Sequence, residues 1–205
     1  MPLQNRVTPF GELIATPARG TLMGNRGCLH DAAHRIRRPF AVKRWIICVL
    51  EFKGRQRKVM TPGQYTELFF LDEATALAAG HRPCAECQRR RYDLFRTHWA
   101  PRGRALPGAD EMDNALHAER LDRRAKRTYT DVLSRVPAGA MVADAEGRPY
   151  LVAGDALLPW RPSGYGARVP RPAAARWRVL TPRSIVRALA RGYPVAVHSS
   201  AGGGA

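Results

Sequence analysis

The sequence predicts an α+β protein, and three observations predict it. Lys43–Lys53, KRWIICVLEFK, is rich in β-branched and aromatic residues, the composition of a strand. Leu71–Trp99, LDEATALAAGHRPCAECQRRRYDLFRTHW, reads as two helices on either side of a C-x-x-C. Beyond Asp131 the chain turns to short apolar runs punctuated by turn residues, the pattern of a small β-rich unit. Strands and helices that do not alternate strictly make an α+β layout. The expected organisation is a zinc-type module over residues 1–104, a helix plus β-rich unit over 105–198, and a disordered tail over 199–205. The Pro- and Gly-rich stretch 100–109 is either the boundary or a loop inside one continuous fold.

Residues 1–20 are mixed and suggest no element. In GTLMGNRGCLHDAAHRIRR (20–38), Gly24, Asn25 and Gly27 allow a tight turn with positive φ, followed by Cys28, His30 and His34. In the strand, Ile46, Cys48, Leu50 and Phe52 share one face and Trp45, Ile47, Val49 and Glu51 the other. Cys48 is therefore a buried inert thiol or a ligand on the inner face. Gly54 with Arg55, Arg57 and Lys58 reads as a basic hairpin turn, Val59–Thr61 as a return strand, and Tyr65–Leu71 as an apolar run into a helix. Asp72 is the N-cap of that helix, Glu73–Ala79 are helix formers, and Gly80 suits its left-handed end. The next helix, from about Ala85 to Trp99, stops before Pro101 and sets Tyr92, Phe95 and Trp99 on one core-facing side.

Asp110 caps a third helix, Glu111 to about Lys126, with Met112, Leu116 and Leu121 inward. His117 and Glu119 on it are two residues apart, point to different faces, and make no acid–base pair. Ala140–Ala143 and Tyr150–Val152 form a hairpin around AEGRP. Leu157–Pro172 reads as a long loop carrying Trp160 and Tyr165 among Arg161, Arg168 and Arg171. Trp177–Leu180 is a strand. Thr181-Pro182 opens a helix closed by Gly192, and Val195–His198 is a final strand.

Charge narrows the function classes. The chain has 34 basic and 17 acidic residues, a net charge of +17. Codon usage explains arginine over lysine but not twice as many basic as acidic residues, so a polyanion is the expected partner, DNA before RNA. The phosphate-contacting candidates are Arg82, Arg89, Arg90, Arg124 and Arg127; Trp160 and Tyr165 are candidates for stacking on bases, the alternative being an Ω-loop whose Trp plugs the core. There is no HExxH, no pair of carboxylates at a fixed helical spacing and no Gly-rich nucleotide loop. The N-terminus lacks a signal pattern and the apolar runs are too short for a membrane span, so a cytoplasmic protein is expected.

In that compartment a C-x-x-C favours zinc over a disulfide. A redox dithiol normally follows a strand in a βαβ unit, whereas here a helix is expected before it. Cys84 and Cys87 are the first two zinc ligands. Cys28 and Cys48 complete the set, with His30 as a substitute for one of them.

FFLDEATALAAGHRPCAECQRRR, with Gly80, His81, Arg82, Pro83, Cys84, Cys87, Arg89 and Arg90, resembles the zinc-binding module at the N-terminus of the Ada DNA-repair methyltransferase. The resemblance covers about residues 26–99 and is sharp over the last third of them. It implies a four-cysteine zinc site and contact with DNA. In that family a zinc-bound cysteine of the first pair accepts a methyl group from a phosphotriester. This chain has no C-x-x-x-C, only Cys28 and Cys48 twenty residues apart, so the zinc carries over and the methyl-acceptor chemistry does not. The expected function is zinc-containing nucleic-acid binding in DNA repair or regulation. The alternatives are an enzyme acting on nucleic acid, as zinc-thiolate methyl acceptor or hydrolase, and a protein-interaction module with structural zinc.

Overall fold

The structure is a computed structural model of the 205-residue chain, and it describes residues 1–56, 58–123 and 125–202. It is α+β, with four α-helices among the described residues. The first sheet comprises β1 (Gln4–Val7), β2 (Leu13–Ala15), β3 (Leu22–Asn25), β4 (Ile46–Cys48), β5 (Leu68–Phe70) and β6 (Arg82–Pro83). Their order is β2-β1-β5-β3-β4-β6. The pairs β1–β5 and β4–β6 are parallel and the others antiparallel. The expected strand over 43–53 survives only as β4. Its neighbour β6 is two residues long, and pairing ends where the chain leaves β6 into the C-x-x-C.

Between β5 and β6 lies α1 (Glu73–Ala78), and its limits were written into its own residues. The Asp72 carboxylate accepts from Thr75 N–H (2.8 Å) and from the Thr75 hydroxyl (2.7 Å), satisfying an otherwise orphaned donor. At the other end Gly80 N–H donates to Leu77 O (2.9 Å) and His81 N–H to Ala76 O (3.0 Å), the two bonds of a Schellman ending. Gly80 has φ +90°, and a Cβ there would stand 2.6 Å from Cδ of Arg120, so glycine is required twice over. Every residue of α1 is buried. Ala76 and Leu77 face a hydrophobic cluster that includes Phe70, Phe95, Met112, Val142, Leu157 and Ile185. Ala74 and Ala78 face a second cluster with Met141, Leu151 and Leu158.

The helix α2 (Arg89–Trp99) starts later than expected because residues 85–88 form turns, with Gln88 N–H donating to Cys84 O (3.2 Å). Tyr92 and Phe95 are buried on its inner face. The helix α3 (Ala109–Arg120) ends six residues short of Lys126 and passes into a hairpin of β7 (Leu121–Asp122) and β8 (Ala125–Lys126). The helix ends because Leu121 is extended (φ −127°, ψ 141°), and Arg123, at φ +55°, follows β7 in the left-handed region.

The second sheet contains β9 (Tyr129–Val132), β10 (Met141–Ala143), β11 (Pro149–Ala153), β12 (Ala156–Arg161), β13 (Gly164–Tyr165), β14 (Val169–Pro170) and β15 (Arg176–Val179). The order is β13-β12-β11-β10-β15-β9, with β14 also on β12, and every pair is antiparallel. The β10–β11 hairpin turns at Gly147, φ +81°, with the Asp144 carboxylate accepting from Arg148 N–H (2.8 Å). The stretch 157–172, expected as a loop because of its prolines and glycines, contributes three of these strands. Then α4 (Arg183–Ala190) covers the shared core.

One hydrophobic cluster draws on both halves of the chain, from Val7 to Tyr193, so residues 100–109 join two parts with a common core. Residues 195–198 make no strand. Instead Tyr193 OH and Ala196 N–H donate to Glu73 (2.5 and 2.8 Å), and His198 N–H donates to Asp72 (3.0 Å). The tail, expected to be disordered, is described to residue 202. Ser199–Ala201 form a 3-10 turn, with the Ser200 hydroxyl accepting from Tyr165 N–H (2.8 Å).

Candidate metal centre

Cys48, Cys84 and Cys87 meet at one corner of the first sheet, all three sulfurs within 4.8 Å of one another. The register of β4 against β6 brings them there. Ile46 pairs with Arg82 and Ile47 with Pro83 in a parallel ladder, so the next residues in each strand, Cys48 and Cys84, come level. Cys84 N–H donates to Ile47 O (2.9 Å), extending the ladder by one bond. The turn after Cys84 returns Cys87 to the same corner, and Gln88 Nε2 donates to Ile47 O (2.9 Å) to hold the turn down. The turn is further tightened by Glu86 N–H, which donates to the Cys84 sulfur (3.4 Å).

The three thiols cannot all ionise unaided. Hydrogen bonds from Cys48 and then Cys87 pull the Cys84 thiol far down. The same contact with Cys84, then that with Cys87 and burial, pushes Cys48 far up. Cys48 draws Cys87 down, but the Cys84 sulfur and burial outweigh it and Cys87 is raised. One negative charge is thus easy to form and the next two are not, until a cation shares them. Two thiolates on one tetrahedral zinc stand about 3.8 Å apart, so the cluster is close to the spacing a zinc ion requires. The preceding element is a strand, β6, rather than the helix expected. The third sulfur nonetheless distinguishes the site from a simple dithiol.

Cys28 is not in the cluster. It follows β3, which runs antiparallel to β4 with Met23 opposite Cys48 and Asn25 opposite Ile46. β3 thus ends opposite Ile46 rather than Cys48, and the Cys28 sulfur rests 3.8 Å from His30 O. His30 cannot take its place. Its Nδ1 is 2.6 Å from the Thr66 hydroxyl and its Nε2 3.3 Å from Thr61 O, so both ring nitrogens are engaged.

A cleft of about 450 Å³ opens beside the sulfurs. Among the described residues its walls include Met23, Ile46, Leu50, Phe52, Val59 and Phe69, with Glu51, Glu67 and Glu86 against one base, Arg55. Glu86 pairs with Arg55 (2.8 Å), and Glu67 accepts from Met60 N–H (2.7 Å). Apart from Glu86, inside the C-x-x-C, no local signal in the sequence marked these groups, because the loop over 49–60 and β3 come together only in the fold.

The expected nucleic-acid contacts divide. Arg89 and Arg90 are exposed at the start of α2, Arg89 pairing with Asp93 (2.8 Å). Arg127 is exposed, 3.9 Å from Asp122. Arg124 lies outside the described residues, as does Arg57 of the basic turn. Arg82 is not on the surface: it is 1% exposed and forms a two-pronged ion pair with Asp113 (2.9 and 2.7 Å). Tyr165 is buried with its hydroxyl donating to Asp72 (2.8 Å), and Trp160 Nε1 donates to Thr75 (3.0 Å) while its ring packs on the second cluster. Tyr165 is a core residue and Trp160 is half-buried, and both tie α1 to the second sheet.

A second charged cluster was not foreseen. Trp45 lies between the guanidiniums of Arg26 (4.0 Å) and Arg120 (3.9 Å). Arg120 donates to Gly80 O (2.9 Å) and Lys43 O (2.5 Å), Lys126 donates to Ala78 O, and Arg26 Nε donates to His81 (3.1 Å). Three cations thus gather around the C-terminal carbonyls of α1, where the helix dipole favours positive charge. Comparisons of the chain with protein-family models, with curated proteins and with solved structures found no match.

Proposed function

We propose that the chain is a zinc-thiolate protein of the reducing cytoplasm that binds nucleic acid, DNA before RNA. Cys48, Cys84 and Cys87 hold the ion, and arginines beside them meet phosphates. The observation that carries the metal is the meeting of three thiols from two strands and a turn, a donor set suited to zinc. Bound there, zinc ties β4 to β6 and to the start of α2. The polyanion half of the reading is supported by the net charge of +17 and by Arg89 and Arg90, exposed two and three residues after Cys87. The resemblance to the Ada module over residues 26–99 points the same way. No helix among the described residues is long and apolar enough to cross a membrane.

The test combines metal analysis with binding to single- and double-stranded DNA and RNA over a range of salt. The expected result is one zinc per chain and affinity that falls steeply with salt. Arg89→Ala and Arg90→Ala each flatten the salt slope by about one unit. A salt-independent or absent affinity overturns the nucleic-acid half of the reading and leaves the metal half standing.

A further inference from the structure

The cleft beside the thiols is of the wrong charge for a nucleic acid. On a chain with twice as many basic as acidic residues, the described residues that line it carry three carboxylates and one guanidinium. The thiolates add negative charge of their own: three of them around one divalent ion leave a net −1. The walls between these groups are apolar. A volume of about 450 Å³ is within the range of small-molecule sites and far below what a duplex needs.

The protein also supplies one donor too few. Zinc held by thiolates is four-coordinate, and sites with three protein ligands keep the fourth position for a ligand from outside. Among the described residues only three metal-ligating side chains come together here. Cys28 lies outside this group, and His30 is engaged with Thr66, Glu67 with Met60 N–H, and Glu86 with Arg55. The lining of the cleft includes all three cysteines, so an ion held by them would border the cleft.

Resting on the zinc reading above, we infer that the cleft binds a small thiol, whose sulfur supplies the fourth donor. A three-thiolate site prefers a soft fourth ligand. The apolar walls take a short hydrocarbon body, and Glu51, Glu67 and Glu86 select for a neutral or cationic far end. On binding, the thiol gives its proton to solvent and a sulfur lone pair to the ion, and no oxidant or reductant is needed.

The experiment uses the full chain loaded with cobalt(II), whose sulfur-to-metal charge-transfer absorption counts thiolates. Without added thiol the band has the intensity of three. Titration with 2-aminoethanethiol raises it to that of four, and 3-mercaptopropionate, anionic at its far end, requires on the order of ten times the concentration. Val59→Trp, which fills the cleft without touching a sulfur, keeps the three-thiolate band and loses the response. A band that does not respond to any thiol overturns the inference. So does a band already at four-thiolate intensity that drops on Cys28→Ser, or a three-thiolate site whose d–d bands change on Glu51→Ala, because the fourth donor is then the protein's own. Failure to bind cobalt or zinc overturns the zinc reading itself, a distinct result. If Val59→Trp does not fold, protection of the cysteines from iodoacetamide by 2-aminoethanethiol in the metal-loaded native chain decides the matter: no protection sinks the proposal.

Discussion

The two ends of the β4–β6 pair solve opposite electrostatic problems. At one end stand three potential anions, Cys48, Cys84 and Cys87, with no cation among them. At the other stand three cations, Arg26, Arg120 and Lys126, around Trp45, His81 and the C-terminal carbonyls of α1. The carboxylate that acts on Arg120 is Asp113, and it pairs with Arg82. The cationic end is largely satisfied from within, because helix carbonyls and an indole face accept positive charge without carrying a full negative one. Backbone dipoles offer nothing comparable to three sulfurs that must share one corner. The difference teaches that the cationic cluster completes itself on folding, whereas the thiol cluster is arranged to share its charge with an ion from solution.

Breaking the thiol end gives the largest effect. Cys48→Ser removes the only donor from β4, so metal content measured by mass spectrometry falls from one equivalent to near zero. The binding energy lost is a sizeable part of the ~10–16 kcal/mol that structural zinc contributes in small domains. Breaking the other end is next. Trp45→Ala leaves a void between two guanidiniums and removes their π partner; denaturant unfolding shows a loss of about 3–5 kcal/mol, with metal affinity changed far less.

A smaller effect follows from protons. Burial first, and then Arg26 and Arg120, pulls Lys126 down to about 7. Burial first, then the same two arginines, holds His81 well below its ordinary 6.5. For both groups the unfolded chain binds a proton that the folded chain refuses. Stability therefore rises with pH between about 7 and 10.5 for Lys126, with the penalty complete below 7. For His81 it falls as pH drops below about 6.5. Urea midpoints of the metal-free chain across pH 5–10 show this slope, and Lys126→Met flattens its upper part. The smallest effect is at the cleft mouth. Both Arg55 and Glu86 are exposed, so Arg55→Ala changes stability by less than about 1 kcal/mol, and a larger loss means the pair shapes the thiol corner.

What could be read from the sequence was what depends on near neighbours. The Asp72 cap, the Gly80 ending and the 141–153 hairpin are set by contacts within a few residues, and their chemistry is visible in the letters. The C-x-x-C marked Cys84 and Cys87 for the same reason. Cys48 and Cys28 looked equivalent as partners, and only strand register separates them: parallel pairing brings Cys48 level with Cys84, while antiparallel pairing sends Cys28 the other way. Arg82 was expected at the surface, and Trp160 and Tyr165 either on bases or in the core, because their partners Asp113, Thr75 and Asp72 lie 31, 85 and 93 residues away. An arginine two residues before a cysteine looks the same whether or not a distant carboxylate will meet it. The cleft escaped notice because no continuous segment lines it.

The stitching of residues 193–198 to Asp72 and Glu73 bears on how the chain is made. Both carboxylates are buried at the mouth of the central helix, and their bonds to Tyr193, Ala196 and His198 form only when that later segment arrives. Within the first hundred residues Asp72 finds Thr75 and Glu73 finds Arg91, which meets part of what the two carboxylates need. The rest is supplied only when synthesis has passed residue 198, so the final seal on the central helix is made by residues more than a hundred positions downstream.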